Sequence, residues 1–176
     1  KAIATQRVGG QIESVSWNTA DGFGAALNAF IGQNYGAGKM DRVKKGYRAS
    51  LITVGVWGLF ITLLFVCFPE QISGVFFHEP TAIATAVGYM IIIGYSEAFM
   101  SVELTVGALS GLGKTHLCSV ISITLTSARI PLAILLSGTA LGLLGIWWAL
   151  TATSVVKGIV FVMAFYWITA RMRNSK

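Results

Sequence analysis

The stretch ASLITVGVWGLFITLLFVCF, residues 49–68, decides the fold: it runs for twenty residues without a charge. As a helix it would be about 30 Å long, the thickness of a bilayer's hydrocarbon core. Four other stretches, at about 8–31, 81–112, 117–137 and 143–170, are comparably long and apolar. None shows the period-two alternation of a barrel strand. Of the 176 residues, 55% are hydrophobic and only 11% charged, against about 25% charged in a typical soluble domain. Mean hydropathy is +0.71. The fold class that follows is all-α, a polytopic membrane bundle with five transmembrane helices.

The formal net charge of +6 is placed unevenly. Lys39, Arg42, Lys44, Lys45 and Arg48 crowd one connection, Lys114 sits in another, and Arg171, Arg173 and Lys176 form the tail. The alternate connections, 69–80 and 137–142, hold no Lys or Arg. By the positive-inside rule the basic loops and the C-terminus are cytoplasmic. Basic residues confined to short loop ends do not make a nucleic-acid surface, so no nucleic-acid partner is expected. Cys67 and Cys118 are isolated and lack metal-ligand spacing. Residues 1–10 lack the short apolar core of a secretory signal. Five spans ending inside would start the chain outside, so it reads as part of a longer polypeptide.

Local signals subdivide the chain. Three glycines within residues 32–38 predict a turn after the first span. Pro69 stops the second span, and 69–80 mixes aromatic with charged residues as a short interfacial helix does. Pro131 predicts a kink after Ala128. Trp147, Trp148, Tyr166 and Trp167 are aromatic anchors near the two ends of the last span.

Four of the five spans carry ionisable groups at membrane depth, where a charge costs at least about 2.5–3.5 kcal/mol. At 100° per residue, Glu13, Trp17, Asp21, Gly24 and Asn28 fall within about 80° on the first helix. Gly94, Glu97, Ser101 and Thr105 form a stripe on the third, with Glu103 some 120° away. Ser119, Ser122, Thr126 and Arg129 share a face of the fourth, and Thr153 and Ser154 flank Lys157 on the fifth. The interior holds Glu13, Asp21, Glu97 and Glu103 against two bases, a surplus of acid expensive without protons or cations. The four acids are therefore candidate sites for a coupling ion or a cationic substrate. Trp17, Asn28, Ser101 and Lys157 are candidate pathway residues. The competing reading is structural, with Glu13 or Asp21 paired to Lys157 or Arg129. Arg129 itself is expected to pair with carbonyls freed near the kink.

Two motifs carry less weight. Residues 111–115, GLGKT, end like a phosphate-binding loop, but the required first glycine falls at Ala108 and the segment before is an apolar helix. Gly107 and Gly111 have the GxxxG form that favours close helix packing.

QIES at 11–14, GFGAAL at 22–27 and FIGQNYGAG at 30–38 resemble the second helix of the C-terminal half of multidrug and toxic compound extrusion (MATE) transporters. GLGKT at 111–115, RIPLA at 129–133 and GIWWA at 145–149 agree with that family in order. The resemblance implies a twelve-helix, two-lobed fold of which this chain supplies the last five helices, the N-terminal half being elsewhere. It implies export of organic, often cationic, compounds in exchange for Na⁺ or H⁺, with no other cofactor, across a bacterial plasma membrane. It favours Glu13 and Glu97 or Glu103 as cation-binding acids, with any Na⁺ held at the same carboxylates. Rival functions are a flippase or exporter of lipid-linked or polysaccharide cargo, whose anionic substrate would favour bases, and a non-transporting scaffold. No nucleophile–base pair or metal set suggests an enzyme.

Overall fold

The computed structural model describes residues 2–99, 101–139 and 141–174, with side chains described for 9–99, 104–139 and 141–172. Among the described residues the chain is helical throughout: α1 (Ala2–Gly36), α2 (Met40–Cys67), α3 (Pro69–Phe76), α4 (Pro80–Glu97), α5 (Ser101–Gly111), α6 (Thr115–Ser137) and α7 (Leu143–Asn174). Three of them, α2, α6 and Leu143–Met172 of α7, are long and apolar enough to cross a membrane. Their outer faces expose Ile52, Val56 and Leu63 on α2, Ile123, Ile134 and Leu135 on α6, and Ile159 and Met163 on α7. Of the α6 residues only Cys118 is buried. So much apolar surface would be a liability in water and is at home in lipid. The chain is an integral membrane bundle.

The connections differ in detail from the sequence expectation. α1 continues through Gly32 and Gly36, and the chain turns only at 37–39. There Gly38 adopts φ +70° and Lys39 N–H donates to the Asn34 carbonyl at 2.8 Å, the left-handed cap that closes many helices. α2 starts at Met40, because the basic residues ride on its first turns while Val43 and Tyr47 point into the core. Pro69 ends the second span as expected and becomes the first residue of the short helix α3.

The largest departure lies in the third stretch, which is two helices rather than one rod. α4 ends at Glu97 and α5 begins at Ser101. No Gly or Pro marks the break. Ser96 Oγ donates to the Ile93 carbonyl at 2.7 Å, a side-chain bond that competes with helical pairing. Across from it, a Cβ at Gly58 of α2 would fall 2.5 Å from the Glu97 carbonyl oxygen, so the two backbones touch.

α1 and α5 cross closely as well. A Cβ at Gly107 would collide with the Gly24 carbonyl, and one at Gly111 would lie 2.6 Å from the Asn28 carbonyl. The GxxxG spacing is therefore a real crossing, and Gly24 admits a helix. Below it Tyr47 stacks on Phe165 at 3.7 Å and shares a 2.9 Å hydrogen bond with Thr105, tying α2, α5 and α7 together.

Candidate functional site

Where α1 passes the end of α4, two of the predicted acids meet. Glu97 is 0% exposed, and its Oε2 accepts a 2.7 Å hydrogen bond from Ser16 Oγ. Its Oε1 has no hydrogen-bond partner among the described residues. One turn along α1, half-buried Glu13 accepts from Trp17 Nε1 at 3.0 Å and from Tyr89 OH at 2.9 Å, one donor on each oxygen. The first of these bonds follows from helical spacing, since residues four apart are neighbours. The second joins α1 to α4. Tyr89 is held against Gly9 of α1, with the Trp147 ring edge-on at 5.3 Å. A larger residue at position 9 would displace the tyrosine.

Glu13 opens onto a cavity of 330 Å³ that Trp17, Tyr89, Arg129, Ser154 and Lys157 also line. Arg129 reaches from α6 to α7, where Nε donates to Thr153 Oγ1 at 2.9 Å and Nη2 to Ser154 Oγ at 3.2 Å. The expectation that it would pair with free backbone carbonyls is corrected: its partners are hydroxyls of the neighbouring helix. Among the described residues Glu13 is the acid that lines this cavity, beside both interior bases. Among the described residues neither Glu13 nor Glu97 forms an ion pair, so neutral donors hold both carboxyl groups.

The MatE family model matches residues 1–135. The chain belongs to the MatE family. It is 28% identical over 168 residues to the probable multidrug resistance protein NorM of Thermotoga maritima, covering 94% of this chain and 36% of that protein. It is 29% identical over 182 residues to the NorM of Pseudomonas aeruginosa, covering 97% and 37%. The chain thus spans little more than a third of the length of these relatives. A crystal structure of a mutant MATE protein superimposes with a TM-score of 0.84 at 17% identity, covering 91% of this chain and 36% of that one, which shows the shared fold.

Seen in a MatE chain, the cluster lies in a family of transporters, not of enzymes. The site differs in membership from the sequence expectation. Glu13, Glu97, Trp17 and Lys157 come together as described. Asp21 and Asn28 are exposed and join neither the cluster nor the cavity. The cause is angular. Ala20, Gly24, Leu27 and Ile31 define the buried face of α1. Asp21, about 80° round from Glu13, and Asn28, about 60° round, fall off its edge. The side chains of Ser101 and Glu103 lie outside the described residues. Sequence reasoning missed Tyr89 and Ser16. Tyr89 carries a signal of its own, a phenol in an otherwise apolar stretch of α4 with Ser96 on the same face.

Proposed function

We propose that this chain is the C-terminal part of a secondary antiporter that exports small organic, drug-like compounds by alternating access, with H⁺ as the coupling ion. It supplies the last five spans of a two-lobed bundle in a bacterial plasma membrane, its basic loops and C-terminus cytoplasmic. Membership of the family and the NorM relatives support the export role. The choice of proton rests on one observation. Three of the four carboxyl oxygens of Glu13 and Glu97 already accept a hydrogen bond from an indole, a phenol or a hydroxyl. A metal ion such as Na⁺ needs a shell of several oxygens turned toward it, and these donors turn hydrogens there instead. A proton needs a single lone pair.

In the cycle this implies, a proton and a substrate use the Glu13–Glu97 pair alternately as the two lobes rock. Exposed Asp21 plays no part in the coupling. The test is export by the full-length protein in liposomes under separate H⁺ and Na⁺ gradients, for wild type, Glu97→Gln and Asp21→Asn. Export is expected to follow the H⁺ gradient, to collapse in Glu97→Gln and to survive in Asp21→Asn. Wild-type export driven by Na⁺ alone would refute the choice of proton, and indifference to both gradients would refute antiport.

A further inference from the structure

At the basic end of the bundle, where α6 starts and α7 nears its end, a cavity of 370 Å³ opens between the two helices. Lys114 of the GLGKT stretch lines it from the start of α6 and Arg171 from α7, with Leu117, Trp167, Ile168 and Met172 as apolar wall. The turn that closes α5 fixes Lys114 there: Gly113 adopts φ +73°, and Lys114 N–H donates to the Leu109 carbonyl at 2.9 Å. The Lys114 side chain makes no hydrogen bond or ion pair among the described residues. The Arg171 guanidinium lies 5.5 Å from the centre of the Trp167 ring, a contact that occupies none of its N–H donors. Among the described residues the lining therefore holds two cations and no acid.

The depth of this cleft is marked by Trp167, which is 62% exposed, since exposed tryptophan gathers at the level of lipid headgroups. From that level toward the bilayer centre, α6 exposes Val120 and Ile123, and α7 exposes Met163 and Ile159. A ligand seated here meets positive charge at headgroup height and hydrocarbon directly below. A small soluble anion would satisfy the cations and leave the apolar wall uncovered. We propose that the cleft binds an anionic phospholipid, its phosphate received between Lys114 and Arg171 and the start of an acyl chain laid along Leu117 and Trp167. Basic pockets between helices at a membrane surface take such headgroups. A zwitterionic lipid would bring its own cationic group against the same two charges, so a headgroup of net negative charge is selected. Neither the cargo nor the coupling ion enters this reading.

The test titrates phosphatidylglycerol or phosphatidylcholine with brominated acyl chains into the full-length protein in a neutral detergent. Bromine quenches nearby tryptophan, and the part of the quenching that Trp167→Phe removes reports this cleft. Each Lys or Arg near a membrane surface contributes about fivefold to anionic-lipid binding, so phosphatidylglycerol is expected to bind about 25-fold more tightly. Lys114→Gln combined with Arg171→Gln should abolish that preference. Lys39→Gln combined with Arg42→Gln, at exposed cations outside the cleft, should keep it. The comparison of the two lipids on the wild type needs neither charge variant. Equal affinity for both lipids would overturn the proposal, as would a preference that outlives Lys114 and Arg171. Loss of the preference in the Lys39 and Arg42 pair would overturn it too, because charge anywhere on this face would then suffice. Release of bound phosphatidylglycerol by inorganic phosphate at equal concentration would make a free anion the ligand and refute the lipid.

Discussion

The hydrogen bond from Tyr89 to Glu13 links α1 to α4 across 76 residues of sequence, and a double-mutant cycle can weigh it. Tyr89→Phe deletes the hydroxyl and keeps the ring, including its edge-on contact with Trp147. Glu13→Met keeps the length of the side chain and removes both acceptor oxygens. The loss of the Trp17 contact accompanies Glu13→Met in both arms and cancels. Hydrogen bonds between helices in a membrane, measured this way, average about 0.6 kcal/mol and reach about 1.7 kcal/mol. A bond to an ionised acceptor in water-soluble proteins contributes about 1.5–3 kcal/mol. The 2.9 Å length and the burial of Tyr89 place this bond in the upper part of the membrane range, so a coupling of about 1–1.7 kcal/mol is expected. The assay is reversible unfolding of the four full-length proteins in mixed micelles. Additivity within about 0.3–0.5 kcal/mol would show that the bond does not form and would dissolve the cluster as described.

Other outcomes follow from the same geometry. Gly107→Ala should destabilise the full-length protein by about 1–2 kcal/mol even after the helix-propensity gain of about 1 kcal/mol, because the methyl meets a backbone carbonyl. Gly10→Ala, with open space around the new methyl, should stabilise it by about 0.5–1 kcal/mol in the same unfolding measurement. Ser16→Ala removes a donor from buried Glu97 and should cost about 1–3 kcal/mol, whereas Asn28→Ala should stay within about 0.5 kcal/mol. In intact cells a membrane-impermeant maleimide should label exposed Cys67 from outside and leave buried Cys118 unmodified, and labelling of Cys67 only after lysis would invert the proposed orientation.

Much of this arrangement was legible because helices impose a fixed period. The pairing of Glu13 with Trp17 and the crossing at Gly107 and Gly111 follow from residues three or four apart. What the period cannot supply is the angle at which each helix is buried. Asp21 shares a stripe with Glu13 on a helical wheel, yet the close contacts of α1 at Gly24 turn that part of the stripe outward. The break after Glu97 was invisible for another reason. Its cause is spread over Ser96, which bonds its own backbone, and Gly58, which belongs to another helix. Arg129 was misread because hydroxyls on α7, not carbonyls on its own helix, receive it.

The three charged groups of the cavity bear on how a proton and a cationic substrate would exchange under the proposed antiport. Protonation of Glu13 would move the balance among Glu13, Arg129 and Lys157 from +1 to +2. A cationic group held at Glu13 would then lose its partner and share the cavity with two like charges. In a site shielded from water such a loss is worth far more than the same change in bulk solvent. Proton arrival would therefore expel the cation. Lys157→Gln removes one of the two like charges, so proton-driven release of a cationic substrate from the full-length protein in liposomes should slow. Release as fast as in wild type would refute this account.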